Sequence, residues 1–560
     1  MLKNLYRTIL LYFHTLRFLT FKQIFFKIKY LILIGIIKNF PKKYHSYISR
    51  KIDYKMNDTF DFDSFIYKNN KKFDKIICND FEFLNLRYKF RNQINWKNTD
   101  LCNKNKLWKF NLNYQEYLVD IAYLYRDTGD EKYLKFIISN LKSWIQSNDF
   151  SSSGYDADNW NAYVVSNRII NWIKIYPIIK NKLSEEFDKE FLFNLKFQTI
   201  YLSNHLEFHL KGNHLIENGF ALLFGAYFFN DKIIYSDAIR VLNKELEEQI
   251  LSDGGHFELS PMYHQHILFR IFDCITLIRS NNIFDNTLLN IFEKKSRKML
   301  SWLENIVFRN NDIPQVNDCS INVYPTLGNL QDYAAKLNIS RSNNNLDDSG
   351  YRMIEMKKYE CFVDIGNIGP DYILGHAHND IFSFILYVND KPFIIDRGIS
   401  TYNESKLRLE EKSTSSHNTV MIAGNEQNEI WSNFRVARRT YPKIHNQKNN
   451  YIKASYNSIY NNASHNREFY FNENNLILRD LVNYEHVNFS YLHFAPNIDP
   501  ILNDNKLTTK LGTIILENFR NIVLEDYDYC DGFNKIKKAK KLKMEFIEES
   551  KIQINIGNNL

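Results

Sequence analysis

The spacing of apolar residues changes once along the chain, from the period of a helix to the period of a strand. From about Tyr114 to Phe308, apolar residues recur every three or four positions, which is the spacing of one helix face. The segments YQEYLVDIAYLYRDTGD and EKYLKFIISNLKSWIQSN meet at a Gly-Asp turn and predict a helical hairpin. Successive hairpins predict an α/α toroid or a solenoid, and the lack of a fixed-length repeat favours the toroid.

A second pattern begins after an Asn-, Asp- and Ser-rich stretch at residues 343–350. Short segments such as FSFILYV, KPFIID and REFYFNENNLILRDLV have the period of antiparallel strands. The predicted fold class is α+β and multidomain, with an N-terminal (α/α) toroid followed by a C-terminal antiparallel β-sandwich. We place an N-terminal helical segment at residues 1–55, the toroid at 56–345 and the sandwich at 346–560.

The first forty residues are apolar but interrupted by Arg17, Lys22, Lys27 and Lys29. The longest uninterrupted apolar run, residues 31–37, is too short to cross a bilayer, so no transmembrane segment is predicted. No small-residue cleavage site follows an apolar core, which predicts no signal peptide and a cytoplasmic location, with the periplasm or cell envelope as the alternative. Helices docked on the main body are favoured over a basic amphipathic helix lying on a membrane.

Composition narrows the class of protein without naming a partner. A chain of 560 residues and 67.0 kDa exceeds one ordinary core, and 44% hydrophobic residues exclude a disordered protein. The net charge of +8 is small for a chain of this length, so nucleic-acid binding is not predicted. The dense basic run from Lys535 to Lys543 is interpreted as a solvated strand or loop edge. Nothing in the pattern sets an oligomeric state.

Three possible metal ligands bracket one predicted β-hairpin. FSFILYVND runs through a tight Asn-Asp turn into KPFIID, so Asp396 returns toward His378, and His417 follows in SSHNT. Two imidazoles and a carboxylate suit zinc or a similar divalent ion, whereas the alternative is histidines that only satisfy buried backbone groups. On a strand, His376 would share the face of His378 and lie beside this site.

Two segments of the helical half carry further candidate chemistry. In GNHLIENG, Asn213 and His214 open a helix and Glu217 follows on the same face. SDGGHFELSPMYHQH forces irregular backbone before a helix and presents the polar residues His256, Glu258, Tyr263, His264 and His266. The alternative is a helix cap, a packed tyrosine and surface histidines.

These segments together resemble the heparinase II/III family of polysaccharide lyases, which join an α/α toroid to an antiparallel β-sandwich. GNHLIENGFALLFGAYFF is similar to the family's neutraliser helix, DGGHFELSPMYHQH to its tyrosine segment, and GHAHND, FIIDRG and SSHNT to its histidine and metal segments. LWKFNLNYQEYL and NWNAYVVSNRIINW resemble toroid segments that face the sugar groove. The resemblance covers about residues 107–439, and Arg397 departs from it where a proline commonly follows the aspartate.

The resemblance implies β-elimination on a uronic-acid-containing acidic polysaccharide. Such a reaction needs the uronate charge masked, a base at C5 and an acid at the leaving O4. The catalytic residues it implies are Asn213, His214, Glu217, Tyr263 and His376. The substrate-binding residues it implies are Trp108, Asn111, Tyr114, Trp160, Arg168, His264 and Arg435. A structural divalent metal, expected to be zinc, would be held by His378, Asp396 and His417, with Asp380 orienting one imidazole.

In this interpretation Asn213 or His214, supported by Glu217, masks the carboxylate, and Tyr263 is base or acid opposite His376. A tyrosine with an ordinary pKa is a poor base, so it would need help from His264, His376 or Arg435. Two other functions stay open. One is a non-catalytic glycan-binding or surface-polysaccharide assembly protein, and the other is a glycoside hydrolase using Glu217 and Glu258.

Overall fold

The computed structural model describes residues 2–53, 56–63, 65, 73–97, 101, 104–152 and 154–557. Within these residues the helices are α1 (Leu2–Leu16), α2 (Phe21–Asn39), α3 (Pro41–Ser49), α4 (Phe73–Ile76), α5 (Lys106–Tyr114), α6 (Tyr117–Thr128), α7 (Glu131–Asn148), α8 (Ala162–Ile179), α9 (Glu185–Asn204), α10 (Gly212–Phe229), α11 (Lys232–Gln249), α12 (Pro261–Ser280), α13 (Thr287–Ile306), α14 (Leu327–Lys336) and α15 (Lys406–Glu411). Short 3-10 turns lie at Lys180–Lys182 and Thr414–Ser416.

The helices between α6 and α14 form two layers, as the predicted toroid requires. Helices α6, α8, α10, α12 and α14 contact one another in turn, while α7, α9, α11 and α13 pack outside them. Nearly every residue of α8, α10 and α12 is buried, because these helices are covered on both faces. The predicted Gly-Asp turn between α6 and α7 is confirmed, with Gly129 left-handed at a φ of 68° and Asp130 capping α7.

The strands follow in the second half of the chain, apart from the hairpin β1–β2. The strands are β1 (Asp80–Phe83), β2 (Leu86–Lys89), β3 (Tyr351–Glu355), β4 (Tyr359–Asp364), β5 (Phe384–Val388), β6 (Lys391–Ile394), β7 (Val420–Met421), β8 (Ile430–Ser432), β9 (Arg435–Val436), β10 (Lys443–Lys448), β11 (Tyr451–Asn457), β12 (Ser464–Asn472), β13 (Asn475–Val482), β14 (Asn488–His493), β15 (Ile501–Asn503), β16 (Lys506–Thr508), β17 (Gly512–Cys530) and β18 (Ile536–Ile556). A large antiparallel sheet runs in the order β10-β11-β12-β13-β18-β17-β16-β15, and β3 to β6 form a second sheet in chain order.

The hairpin β5–β6 forms as predicted, because Asn389 and Asp390 adopt left-handed conformations with φ of 49° and 60°. The approach to it differs from the prediction, since residues 375–383 are irregular and not a strand. His376 and His378 therefore do not share a sheet face. The basic run 535–543 lies largely in β18, where Lys538 pairs with Asp528 of β17 and the run is solvated as predicted.

One face of each N-terminal helix docks on the main body, which confirms the predicted docking. Helix α2 packs on the α9–α10 loop, with Tyr30 stacked on His209 at 4.5 Å between ring centroids. Helix α1 packs on the β8–β9 hairpin, where the Trp431 indole donates to Thr15 Oγ1 at 3.0 Å. Among the helices in the described part of the chain, none combines the length and the apolar character needed to cross a membrane.

A buried arginine in the sandwich fixes two loops that lead to the site. Arg467 donates to Asp480 through Nε at 2.7 Å and Nη2 at 2.9 Å, and both side chains are buried. Its Nη1 also donates to the carbonyls of Phe382 at 2.9 Å and Asn418 at 2.8 Å. The strand pair β12–β13 thus holds the loops that contain His378 and His417 in place.

We expect Arg467→Met to lower the thermal midpoint, because it leaves the Asp480 carboxylate buried without its guanidinium. The free energy of unfolding should fall by about 3–5 kcal/mol. The double variant Arg467→Met with Asp480→Leu removes the stranded charge and should recover part of the loss. Thermal unfolding monitored by circular dichroism compares the two. Equal midpoints for the single variant and the wild type would contradict this account of the loops.

Candidate functional site

One buried carboxylate, Asp318, holds three cationic or polar side chains. Its Oδ2 accepts from His376 Nδ1 at 2.8 Å and from Arg408 Nη2 at 2.6 Å, and its Oδ1 accepts from His378 Nε2 at 2.9 Å. Burial disfavours the charged form, but Arg408 and the imidazoles hold the pKa of Asp318 well below its usual range. The ionised carboxylate keeps the proton of His376 on Nδ1 and leaves Nε2 turned toward the helical half.

The segment around Asp318 joins the two halves of the molecule through its backbone. Asp318 N donates to the His376 carbonyl at 3.1 Å, and His378 N donates to Asn317 Oδ1 at 3.0 Å. On the helical side, Ser260 Oγ donates to the Asp318 carbonyl at 2.7 Å. Ser260 also caps α12. The histidine loop is therefore tied to the start of the helix that carries Tyr263.

Asn213 reaches the same histidine from the start of α10. Its backbone N donates to Glu258 Oε1 at 2.7 Å, and its side-chain Nδ2 donates to Glu258 Oε2 at 2.9 Å. The same Nδ2 lies 3.4 Å from His376 Nε2, and that nitrogen is also 3.4 Å from Glu258 Oε2. Glu258 is buried and orients the Asn213 amide, so the amide and the free imidazole nitrogen face the same space.

Tyr263 completes the cluster, and its position confirms the expected meeting of the two halves. Its ring centroid lies 4.3 Å from that of His376. Its hydroxyl lies 3.1 Å from the hydroxyl of Tyr402, which comes from the β half. Burial raises the pKa of both tyrosines well above the usual value, so each hydroxyl carries its proton at neutral pH.

Aromatic rings extend from this cluster along the inner face of the toroid. His214 lies against Tyr163 with ring centroids 4.6 Å apart, and Tyr163 contacts Tyr114 edge-on at 6.0 Å. His214 Nδ1 lies 3.1 Å from Glu207 Oε1. Burial opposes the charge on His214, but Glu207 outweighs it and raises the pKa of the imidazole. This arrangement offers flat apolar faces together with a donor for an anionic group.

The proposed metal ligands lie close to Asp318 in the β half. The rings of His378 and His417 have centroids 5.3 Å apart, and His417 Nδ1 lies 2.7 Å from Asp396 Oδ2. In the described residues, His378 Nδ1, His417 Nε2 and Asp380 Oδ2 are buried without a hydrogen-bond partner. Burial lowers the pKa of His378 to about 3, so its imidazole is neutral, as a metal ligand must be.

These donors fit a divalent ion by type, although they do not form a completed site. Across the described ranges, no three histidine, cysteine, aspartate or glutamate side chains are arranged to hold a metal. Asp396 instead bonds to His417 and to the backbone N of Gly398. Buried nitrogens without a hydrogen-bond partner are uncommon in folded proteins, so these two histidines suit a role as metal ligands. The metal stays a prediction.

Comparison with known proteins identifies the architecture around this cluster. Residues 63–340 match the family described as Heparinase II/III N-terminus, and residues 338–555 match the one described as Heparinase II/III-like, C-terminal. The chain belongs to the heparinase II/III family. Its fold is accordingly the α/α toroid joined to an antiparallel β-sandwich that the sequence predicts.

Two relatives and one solved structure are similar to this heparinase II/III chain over much of its length. A heparin-sulfate lyase of Bacteroides thetaiotaomicron is 24% identical over 377 residues, covering 59% of this chain and 53% of that protein. A heparin-sulfate lyase of Bacteroides stercoris is 23% identical over 435 residues, covering 69% and 63%. The matches thus span less than two thirds of these relatives. A heparinase III structure has a TM-score of 0.69 at 19% identity, covering 95% of this chain and 92% of that chain.

Three residues predicted to bind substrate lie in the core of this family member. Trp108, Trp160 and Arg168 are buried, and each tryptophan donates its indole N–H to a main-chain carbonyl. Arg168 donates to Gln198 Oε1 at 2.6 Å and to two carbonyls. Because these side chains are buried and bonded within the protein, they are not exposed to contact a sugar. Aromatic residues at helical spacing serve the core or a groove equally well, so spacing could not separate the two.

His264 and Arg435 also lie away from the cluster. His264 Nε2 contacts the Met299 carbonyl at 2.9 Å, its ring stacks on Trp302, and burial lowers its pKa to about 3. Arg435 Nη1 donates to the Tyr12 hydroxyl at 3.1 Å on helix α1. Neither of them can assist Tyr263 from these positions, which corrects that part of the prediction.

Glu217 and Asn111 occupy different surroundings from those expected. Glu217 is buried, where Arg270 Nε donates to it at 2.8 Å and His266 lies 3.2 Å away. Burial opposes ionisation, but Arg270 and His266 lower the pKa of Glu217 to about 2. The carboxylate that contacts His214 is Glu207 and not Glu217. Asn111 is half-buried and donates to the Leu107 carbonyl of its own helix at 2.9 Å.

Residues that the sequence left unassigned, Asp318, Tyr402 and Arg408, are central to the site. Asp318 and Arg408 are fully buried, and Tyr402 lies between the Tyr263 hydroxyl and the Arg408 guanidinium. They come from irregular segments or a short helix with no periodic pattern. No local pattern marks Asp318 in the polar stretch QVNDCS or Arg408 in the charged stretch KLRLEE.

Gly212 allows α10 to begin against Glu258. Its φ is +55°, and an added Cβ would overlap Glu258 Oε1 and stand 2.5 Å from Ile373 Cδ1. Gly212→Ala should therefore lower the thermal midpoint by more than Gly129→Ala. Gly129 has a φ of +68° but open space around it, so that variant reports backbone strain alone, about 1–2 kcal/mol. Identical midpoints for the two variants would show that the contact with Glu258 adds nothing.

Proposed function

We propose that this protein is a polysaccharide lyase that cleaves a uronic-acid-containing acidic polysaccharide by β-elimination. The observation that carries the proposal is the pairing of Tyr263 with His376 at 4.3 Å between ring centroids, with the Asn213 amide beside them. Membership of the heparinase II/III family and two relatives named heparin-sulfate lyase support the reaction class and a glycosaminoglycan of that kind as substrate.

Charge masking falls to Asn213 and His214 in this proposal. The Asn213 side-chain amide donates to Glu258 Oε2 while its backbone N donates to Glu258 Oε1, and His214 has a raised pKa beside Glu207. Both can donate to the C6 carboxylate of a bound uronate, which draws charge away from C5 and acidifies its proton. Losing one donor that stabilises developing charge typically slows a reaction by about 10²–10³-fold.

Proton transfer is assigned to His376 and Tyr263. His376 Nε2, beside the Asn213 amide, accepts the C5 proton, because Asp318 holds the Nδ1 proton and stabilises the imidazolium that forms. The electron pair of the broken C5–H bond forms the C4=C5 double bond as the C4–O4 bond breaks. Tyr263, whose pKa is raised well above the usual value, donates its proton to the departing O4. The products are an unsaturated uronate and a new hydroxyl end.

The hydrolase alternative lacks an acid of the required kind. Glu217 has a pKa lowered to about 2, and the pKa of Glu258 is also lowered because His376 and His256 outweigh its burial. A hydrolytic general acid needs a raised pKa so that it carries a proton to the leaving group. The non-catalytic alternative is distinguished by assay, since a binding protein would release no product.

A structural divalent ion, zinc by its donor set, is proposed between His378 and His417, and the predicted third ligand, Asp396, would hold His417 through its Nδ1. Its contribution when bound would be to fix the loop that carries His376. The support is the pair of buried imidazole nitrogens without partners in the described residues, His378 Nδ1 and His417 Nε2. Asp380, which also has an unpartnered buried oxygen, would complete the surroundings of the ion.

The reaction is tested by incubating the protein with heparan sulfate, heparin, chondroitin sulfate and alginate. Elimination produces unsaturated ends that absorb ultraviolet light, whereas hydrolysis produces reducing ends without that absorbance. Tyr263→Phe should lower the rate of absorbance increase by at least about 10²-fold, because it removes the acid. Polymer binding, measured by affinity electrophoresis, should persist.

Tyr227→Phe is the matched control for Tyr263→Phe. Tyr227 lies in α10, and its buried hydroxyl has no hydrogen-bond partner among the described residues. Removing that hydroxyl should leave both turnover and stability unchanged. Turnover by Tyr263→Phe at the wild-type rate would refute its assigned role, and no absorbance on any uronate polymer would favour the non-catalytic alternative.

The metal is tested by elemental analysis of dialysed protein. We expect the wild type to retain about one zinc ion per chain and His378→Ala to lose it, with a lower thermal midpoint. His205→Gln is the control, since His205 is a buried histidine of the helical half, where its Nδ1 lies 2.7 Å from the Tyr201 carbonyl oxygen. A chelator should lower the midpoint of the wild type but not that of His378→Ala. Unchanged zinc content in His378→Ala would remove the assignment.

A further inference from the structure

The exposed large hydrophobic side chains of the described residues are concentrated in the N-terminal helices. In the described residues, sixteen of the twenty-eight exposed large hydrophobic side chains lie before residue 50. Single exposed apolar residues are ordinary on a soluble surface, but a concentration of this size marks a binding surface. The members on α1 and α2 are Leu5, Tyr6, Ile9, Leu10, Tyr12, Phe13, Leu16, Phe21, Ile24, Phe25, Ile28, Leu31, Ile32 and Ile36, here called the N-terminal apolar surface.

These side chains follow helical spacing. Along α2 the exposed apolar residues begin at Phe21 and recur three or four positions apart through Phe25, Ile28 and Ile32 to Ile36. A continuous stripe of this kind lies on one face of a helix. Side chains on one face can all enter the same apolar medium together.

The opposite face of α2 is already occupied by the protein body. Gln23 is buried and donates to the Tyr372 carbonyl at 3.1 Å, Ile37 is fully buried, and Phe26 packs on Phe208 with ring centroids 4.6 Å apart. The helix is therefore fixed with its stripe outward. The stripe therefore faces away from the described part of the chain, and its partner is sought outside that part.

The charge of the segment indicates which partner. No aspartate or glutamate occurs before Asp53, while eleven cations occupy that stretch. They are Lys3, Arg7, Arg17, Lys22, Lys27, Lys29, Lys38, Lys42, Lys43, Arg50 and Lys51. From Arg7 onward, none of these side chains forms an ion pair with a carboxylate in the described part of the molecule. The positive charge is thus available to an external anionic partner.

We propose that α1 and α2 dock the protein on the surface of an anionic lipid bilayer. The apolar stripe enters the boundary between headgroups and acyl chains, while the lysines and arginines contact the anionic headgroups. A second copy of this chain would bring the same cations face to face, and protein interfaces are depleted in lysine. Lipid satisfies both the apolar and the cationic features of the surface.

Vesicle co-sedimentation of the full chain tests the proposal. Vesicles of phosphatidylcholine with phosphatidylglycerol should bind the protein, and vesicles of phosphatidylcholine alone should bind it much more weakly. Raising the salt concentration should weaken the binding to anionic vesicles, because the headgroup contacts are screened. Equal binding to both kinds of vesicle, or binding to neither, would overturn the assignment.

The decisive variant is Phe25→Gln with Ile28→Gln and Leu31→Gln, since each of these side chains is more than half exposed. Glutamine keeps the helix propensity, and binding to anionic vesicles should fall by at least about tenfold. The control carries Ile233→Gln, Leu481→Gln and Ile501→Gln, which are also more than half exposed but lie elsewhere. It should bind as the wild type does. Thermal midpoints show whether both variants are folded.

The same samples distinguish the other possible occupants of the surface. If two copies joined through the stripe, the wild type would sediment as a dimer without vesicles and the helix variant as a monomer, with no vesicle binding. A protein partner would leave the wild type monomeric and unbound to vesicles. Either result overturns the proposal. Because vesicle binding is measured without substrate, the result does not depend on the proposed lyase activity.

Discussion

The ion pair between Asp318 and Arg408 is the interaction on which the arrangement of the site depends. Both side chains are fully buried, so each needs the other to compensate for the loss of water. The same carboxylate also accepts hydrogen bonds from His376 Nδ1 and His378 Nε2. One anion therefore fixes the orientation of the imidazole at the cluster and of a proposed metal ligand, and these two features of the β half are physically coupled.

Preorganisation explains why the cluster contains so many buried charges. Asn213 is oriented by Glu258, and His376 by Asp318, before any substrate arrives. Dipoles held in place in a low-dielectric site stabilise developing charge without reorganising during the reaction. Along the inner helices, Glu217 with Arg270 continues the same principle deeper in the toroid. Those two groups are too enclosed to contact a polymer, so they act as support for the surrounding helices.

Periodic features of the chain could be predicted from sequence, because they arise from local pattern. The α6–α7 hairpin, the Asn389 turn and the order of helices before strands all follow from spacing and turn residues. The meeting of Tyr263 with His376 was also predictable, through the resemblance of their segments to a known family. Local pattern does not report which face of a buried helix meets a groove, which is why Trp108 was misplaced.

The remaining site residues could not be found from pattern, since their roles depend on contacts across the fold. Asp318 and Arg408 are ninety positions apart and meet only after the halves assemble. Tyr402 lies in an irregular segment where no periodicity marks it. Glu217 was the predicted partner of His214 because it follows on the same helix face, whereas the structure brings Glu207 to His214 from the loop before α10.

The docking of the N-terminal helices has a practical consequence for preparing the protein. Their inner faces cover Phe208 and His209 on the loop before α10, and Trp431 on the hairpin beside Phe434. That loop contains Glu207, and Phe434 packs near His376. Removing the first fifty residues to improve solubility would expose these side chains and loosen the loop and the hairpin at the edge of the cluster. Polar substitutions in the N-terminal apolar surface would instead keep the loop and the hairpin covered.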